Sequence, residues 1–301
     1  MGTAKRLLAT AAILLLAAPL VASAQQGQKG QGDPDILATM EEINAELAAL
    51  GANYMVVEVE FYAIGYGQSP HRILMNGCRW VPYDPYRWAQ GDDITYLVVQ
   101  SSTASGLGGT DTDAAIHQAM ETWNTQKSLA KVDIEAGSDP GTDVTVYDGY
   151  FGYGFGDPFV ADIVHAGWYP EEFFNAVDPP DGGHTILAMA VTFIWVDALG
   201  LPTDINGDNY LDTAFVEIYY NDNFGDPLGT RPDNPWGIDA DLPGVDVETV
   251  ALHESGHALG LGHFGPPPSA VMNPYYSGIC HEPAAVDKAG MSALWRSWPN
   301  K

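Results

Sequence analysis

The chain has 301 residues, 46% of them hydrophobic, enough for one large core or for a core domain with a small appendage. Its 39 acidic and 12 basic side chains give a formal charge of −27. Nucleic acid and anionic membranes repel such a surface, so neither is expected as a partner.

The chain opens with MGTAKRLLATAAILLLAAPLVASA. Lys5 and Arg6 form a basic start, Leu7 to Leu20 an apolar run, and Ala22-Ser23-Ala24 a small-residue cleavage site. The run is short for a bilayer span. Residues 1–24 therefore read as a signal peptide, and the protein as secreted or extracellular, with periplasm and cell surface as further destinations. Without the leader, 39 acidic face 10 basic side chains, a formal charge of −29. No later segment is long and apolar enough to cross a membrane, and the expected state is a monomer.

QQGQKGQG (25–32) reads as a flexible linker. DPDILATMEEINAELAALG (33–51) predicts a helix with Asp33 as cap, Pro34 in its first turn and Gly51 at its end. YMVVEVEFYAI (54–64) predicts a strand. Residues 25–77 thus read as an N-terminal extension or propeptide ahead of a main domain over 78–301. Within that domain DDITYLVVQ (92–100), KVDIEAG, TDVTVYDG, TILAMAVTFIWV (185–196) and TAFVEIYYN (213–221) predict strands. TDAAIHQAMETWNTQ (112–126) predicts an amphipathic helix capped by Thr112 or Asp111. The aromatic, glycine-rich run from Tyr147 to Trp168 reads as a loop packed by its own rings. DVETVALHESGHALG predicts a helix ended by Gly260, and VDKAGMSALWRSW (286–298) a last one. This order of elements gives one α+β domain.

HESGHALGLGHF (253–264) carries the chemistry. On a helix His253 and His257 lie about 40° apart, so both imidazoles leave one face and can bind one zinc ion. Glu254 sits beside the first ligand, placed to act as general base without binding the metal itself. If the helix continued, His263 would lie about 240° from His257 and face away. Gly260 can stop the helix in the left-handed conformation and Gly262 adds freedom, bringing His263 round as third ligand. Three histidines leave a fourth zinc position open, as in catalytic sites.

The pattern HExxHxxGxxH matches in full that of the metzincin zinc endopeptidases, which the chain resembles. SAVMNPYY (269–276) resembles their Met-turn, with Met272 as a hydrophobic base beneath the zinc. Within the metzincins it looks most like the matrixins, whose Met-turn is followed by Pro-x-Tyr, here Pro274-Tyr275-Tyr276. Astacins and serralysins carry a tyrosine where this chain has Pro274. The resemblance covers about residues 78–301. It implies a twisted, mostly parallel sheet, an active-site helix, the Met-turn and a C-terminal helix. It also implies a substrate pocket walled by Pro274 and Tyr276, and substrate lying as a strand along 186–190. Three departures stand out: Phe264 follows the third histidine, Met189 and Ile218 replace histidines that would bind a structural zinc, and no PRCGxPD switch is present. No structural zinc is therefore expected.

TDINGDNYLD (203–212) places Asp204, Asn206, Asp208 and Asp212 at alternate positions, with the Tyr210 carbonyl between them and Gly207 allowing a tight turn. It resembles the start of an EF-hand-type calcium loop, and matrixins bind calcium in the corresponding loop, so structural calcium is expected. The remaining histidines (His71, His117, His165, His184 and His281) lack ligand spacing. Cys78 and Cys280 are expected to form a disulfide, the alternative being Cys78 as a thiolate latency switch on the zinc. The function implied is a secreted zinc endopeptidase acting on proteins or peptides. Two alternatives are a calcium-stabilised binding or adhesion module with a vestigial zinc site, and a zinc toxin with one host target.

Overall fold

The computed structural model describes residues 34–63, 76–84, 86, 93–222, 224 and 236–298. The expected signal peptide, linker and His71 lie outside them. Among these residues no helix is long and apolar enough to cross a membrane.

Among the described residues nine strands and five main helices follow one another. They are α1 (Pro34–Leu50), β1 (Tyr54–Ala63), β2 (Cys78–Arg79), β3 (Ile94–Val98), α2 (Gly109–Asn124), β4 (Ile134–Ala136) and β5 (Ile163–Tyr169). After these come α3 (Glu171–Val177), β6 (Ile186–Trp195), β7 (Leu211–Asn221), β8 (Trp236–Gly237), β9 (Val245–Asp246), α4 (Val247–Ala258) and α5 (Ala285–Trp295). The main sheet runs β1-β6-β7-β5-β3-β4, with β2 on one end of β7. Strands β3, β4, β5 and β7 are parallel, β6 is antiparallel to β7, and β1 is antiparallel to β6.

Every residue of β6 is buried, because it is paired on both sides and covered on both faces. Alternation along the strands divides the core. Ala188, Ala190, Val216, Ile218 and Tyr220 pack with α2, α4 and α5. Met189, Val191, Phe193, Phe215 and Tyr219 pack with Ile43 and Leu47 of α1 and with Phe173 and Phe174 of α3. Tyr147, Phe151 and Tyr153 of the aromatic run join this second layer, with Tyr147 near Tyr219 and the other two against Phe173.

Four expectations about elements need correction. The end of the aromatic run read as a loop, Ile163–Tyr169, forms β5 between β7 and β3. Helix α2 starts at Gly109 with Gly108 as N-cap, because the Thr112 hydroxyl turns inward to the Gly109 carbonyl. TDVTVYDG forms no strand: the N–H groups of Val146 and Tyr147 donate to the buried Glu217 carboxylate, and Tyr147–Tyr150 makes one helical turn. Strand β6 was expected at the sheet edge, but β1 of the N-terminal extension covers it.

The pairing of β1 has a kink with consequences. Its register against β6 shifts between Val56 and Glu58, so side-chain parity reverses there. Tyr54 and Val56 before the shift, and Val59 and Phe61 after it, face the α1 layer. Tyr62 instead joins the layer of the active-site helix, and Glu60 reaches His263 on the same side.

Candidate metal centre

Helix α4 is started by Asp246, whose side chain accepts from the Thr249 N–H at 2.8 Å and from the Thr249 hydroxyl at 2.7 Å. It ends where Gly260 takes φ 95° and its N–H donates to the His257 carbonyl. That left-handed step turns the chain and returns His263 to the face that carries His253 and His257. Gly256 has a role the motif alone did not reveal: a Cβ there would collide with the Met272 sulfur, so the helix is bare where Met272 packs.

The three imidazoles converge through Nε2, with His253 to His257 at 3.0 Å and both to His263 at 3.2 Å. Nitrogens about 2.0–2.1 Å from a tetrahedral zinc lie roughly 3.3 Å apart, so the triangle fits the ion. The other ring nitrogens are all held. His253 Nδ1 donates to the Val271 carbonyl at 2.7 Å and His257 Nδ1 to the Leu261 carbonyl at 2.8 Å, while His263 Nδ1 meets Glu60 Oε2 at 3.2 Å. A proton fixed on each Nδ1 leaves each Nε2 lone pair for metal. Burial, then the neighbouring imidazoles, holds His253 well below its ordinary pKa, and the same causes lower His257 to about 4. Burial also lowers His263, against the pull of Glu60. Neutral rings are what a cation requires.

Glu254 is 0% exposed, and both its carboxylate oxygens lack a hydrogen-bond partner. Burial first, then the charge of Glu60, pushes its pKa well up. A bound divalent cation opposes such a rise. Met272 is buried, and its N–H and that of Val271 donate to the Asp287 carboxylate at 3.2 and 3.0 Å. Asn273 accepts from the Ala270 N–H and donates to the Phe264 carbonyl, tying the turn to the segment after His263. Asp287 and Asn273 went unnoticed in the sequence, where nothing sets them apart from ordinary polar residues. Tyr276 is buried, and its hydroxyl accepts from the Asp246 N–H at 3.0 Å.

The matrixin family model matches residues 206–296, a span that holds all three histidines, Glu254 and Met272. Residues 206–296 are thus similar to the matrixins. The chain is 36% identical over 96 residues to karilysin of Tannerella forsythia, covering 32% of this chain and 19% of that protein. It is 42% identical over 57 residues to matrix metalloproteinase-25 of Mus musculus, covering 17% of this chain and 9% of that protein. The human matrix metalloproteinase-25 is 39% identical over 64 residues, covering 20% of this chain and 11% of that protein. The chain thus spans less than a fifth of the length of these curated relatives.

The 204–212 loop is closed by its own N–H groups. Asp204 accepts from Asp208 and Asn209, Asp212 from Ile205, and Asp208 from Tyr210. Arg79 pairs with the second Asp208 oxygen at 3.1 Å. Among the described residues, a second histidine–carboxylate group besides the triad joins Asp239, Asp246 and His281. Its central oxygen, Asp246 Oδ2, is already taken by Thr249 and by His281 Nε2 at 2.7 Å.

The expected disulfide is absent: Cys78 and Cys280 are both free thiols. They sit at opposite ends of α4. The Cys280 N–H donates to the Thr249 hydroxyl in the first turn, whereas the Cys78 carbonyl lies beside Gly260, past the last turn. Eleven residues of helical rise are about 16 Å, far beyond the Cα separation a disulfide tolerates. Nor does Cys78 reach the triad. It is buried in β2, and burial raises its thiol pKa.

Proposed function

We propose that the protein is a secreted zinc-dependent endopeptidase. One observation carries this reading: three neutral Nε2 atoms, mutually 3.0–3.2 Å apart, on the helix that also carries the buried carboxylate of Glu254. When bound, zinc supplies a Lewis acid that polarises a carbonyl and acidifies water. The histidines hold their Nε2 lone pairs toward one point through fixed Nδ1 protons. Glu254 takes the proton from the attacking water and returns it to the leaving amine, the work of a general base and then a general acid. Met272 and Gly256 pack as a rigid floor under His253 and His257, and Pro274 with Tyr276 forms a wall of the pocket after the cut bond.

The leader pattern of residues 1–24 supports secretion. We assign residues 25–77 to an extension and 78–301 to the catalytic domain, acting as a monomer. The alternate ligands Asp204, Asn206, Asp208, Tyr210 (carbonyl) and Asp212 support calcium in the 204–212 loop, where it competes with Arg79 for Asp208. Incubating the zinc-loaded protein with a quenched-fluorescent peptide mixture, with and without a chelator, tests the function. Chelator-sensitive internal cleavage is expected, and no cleavage by the metal-loaded full chain would reject it.

A further inference from the structure

The segment between β4 and β5, which the endopeptidase reading leaves without a role, walls a cavity of about 340 Å³ together with β5 and the chain just past β3. Ala166, which lines it, packs in the layer on the α1 side of the sheet, whereas α4 packs on the other side. The cavity is separate from the metal centre.

Three carboxylates line it, those of Asp139, Asp143 and Asp148, and among the described residues no lysine, arginine or histidine does. Asp148 is 1% exposed, and one of its oxygens is unused: Oδ2 accepts from the Tyr169 hydroxyl at 2.6 Å, while Oδ1 has no hydrogen-bond partner. A buried carboxylate oxygen in that state costs free energy until a donor reaches it. Burial raises the pKa of Asp148, and burial followed by the charge of Asp148 lifts that of Glu217 to about 8. A cation in the cavity would oppose both rises. Asp143 is exposed, with Oδ1 accepting from the Thr145 N–H at 3.1 Å and from its hydroxyl at 3.0 Å. The chain closes over it only because residues 154 and 156 are glycine: a Cβ on Gly154 would stand 2.1 Å from Asp143 Oδ2, and one on Gly156 2.0 Å from the Asp143 carbonyl oxygen. Tyr153 and Tyr169 supply an aromatic wall, their ring centroids 5.7 Å apart and their planes at 62°.

The three carboxylates are spread round the cavity. Among the described residues, three metal-ligand atoms come within 4.8 Å of one another only in the histidine triad and in the Asp239–Asp246–His281 group. A metal ion asks for such convergence. A guanidinium does not, because its five N–H donors spread in a plane whose faces stack on aromatic rings. The volume is at the small end of ligand pockets, which run from about 300 Å³. A free amino acid would bring its own carboxylate against the aspartates, whereas an arginine within a chain brings only the positive charge.

We propose that this cavity binds the guanidinium of an arginine side chain from a partner polypeptide, with Asp148 Oδ1 as the buried acceptor, Asp139 and Asp143 beside it, and Tyr153 and Tyr169 against its plane. The site stands on residues 139–169 and does not depend on the endopeptidase reading.

Calorimetric titration of the full chain with Nα-acetyl-arginine methylamide tests it, against Nα-acetyl-citrulline methylamide, a neutral molecule of the same shape. The arginine probe is expected to bind, and the citrulline probe to bind at least about tenfold more weakly, since the charge-assisted hydrogen bonds are lost. Asp148→Asn keeps the shape of the buried side chain and should weaken the arginine probe by about tenfold or more. Asp143→Asn and Tyr153→Ala change exposed residues and keep the test decisive if Asp148→Asn fails to fold; each should weaken binding by roughly threefold. Free arginine should bind more weakly than the capped probe. Absence of binding by the arginine probe overturns the proposal, as does equal binding of the citrulline probe or an affinity unchanged by Asp148→Asn and Asp143→Asn. Free arginine binding more tightly than the capped probe would overturn the assignment to a polypeptide. Calcium chloride binding that Asp148→Asn abolishes, with no binding of the arginine probe, would give the cavity to a metal ion instead.

Discussion

Glu60 Oε2 lies 3.2 Å from Nδ1 of His263, so a residue of the N-terminal extension orients the third histidine of the metal centre. His253 and His257 are oriented by backbone carbonyls of residues 271 and 261, which no side-chain substitution removes. Only His263 depends on a side chain, and that chain comes from β1. Loss of such an outer partner costs about 10–100-fold in metal affinity. Glu60→Ala should therefore weaken zinc binding by roughly tenfold, and Glu60→Gln, which keeps an acceptor, by less. Competition with a chromophoric chelator measures both. Equal affinity in all three proteins would show that Glu60 is a bystander.

Gly256 and Met272 make a second pair. A Cβ at Gly256 has no room beside the Met272 sulfur, so Gly256→Ala should destabilise the fold by about 1–3 kcal/mol through overpacking. Met272→Ala removes the obstacle. Urea unfolding of the two single variants and the double variant should give a coupling energy, the double being less destabilised than the sum. Strict additivity would mean that the contact is not the reason for glycine.

The distribution of what was legible follows from these contacts. The triad and Glu254 were readable because their spacing is set by one helix and one glycine, both local. Strands β6 and β7 were readable because burial on both faces leaves a largely apolar run. The residues that support the centre were not. Asp287 reaches the Met272 turn from α5, and Glu60 reaches His263 across the sheet, so no periodicity announces either. The kink after Val56 was invisible for a different reason. YMVVEVEFYA is apolar everywhere but at Glu58 and Glu60, so it does not mark where the parity changes, and only pairing with β6 decides which residues face the metal. The cysteines were misjudged because their number suggested a bond that the length of α4 forbids.

His281 gives a pH test away from the metal. Burial works against its imidazolium, but the hydrogen bond and charge of Asp246, with Glu248 behind, outweigh it and raise the His281 pKa. A histidine raised on folding binds more protons in the native state, so its stabilisation is full below the unfolded value near 6.5 and is lost as pH rises through the folded value. The melting temperature should fall from pH 6 to pH 9 more steeply in wild type than in His281→Asn, as followed by calorimetry. Parallel pH profiles would contradict the assignment.

Calcium should raise the melting temperature through the 204–212 loop, because a ligand that binds only the folded state stabilises it. Asp204→Ala/Asp208→Ala should abolish the gain. Scanning calorimetry across a calcium titration decides the matter, and a flat wild-type response would remove calcium from the account.

The central claim is that Glu254 moves the proton while three histidines hold the metal. Its most direct test measures zinc content and peptide hydrolysis on the same preparations of full-chain wild type and Glu254→Ala. The account predicts one zinc per chain in both and a loss of at least about a hundredfold in kcat for the variant, in line with general acid–base catalysis. A Glu254→Ala protein that keeps its zinc and cleaves peptides near the wild-type rate would contradict it.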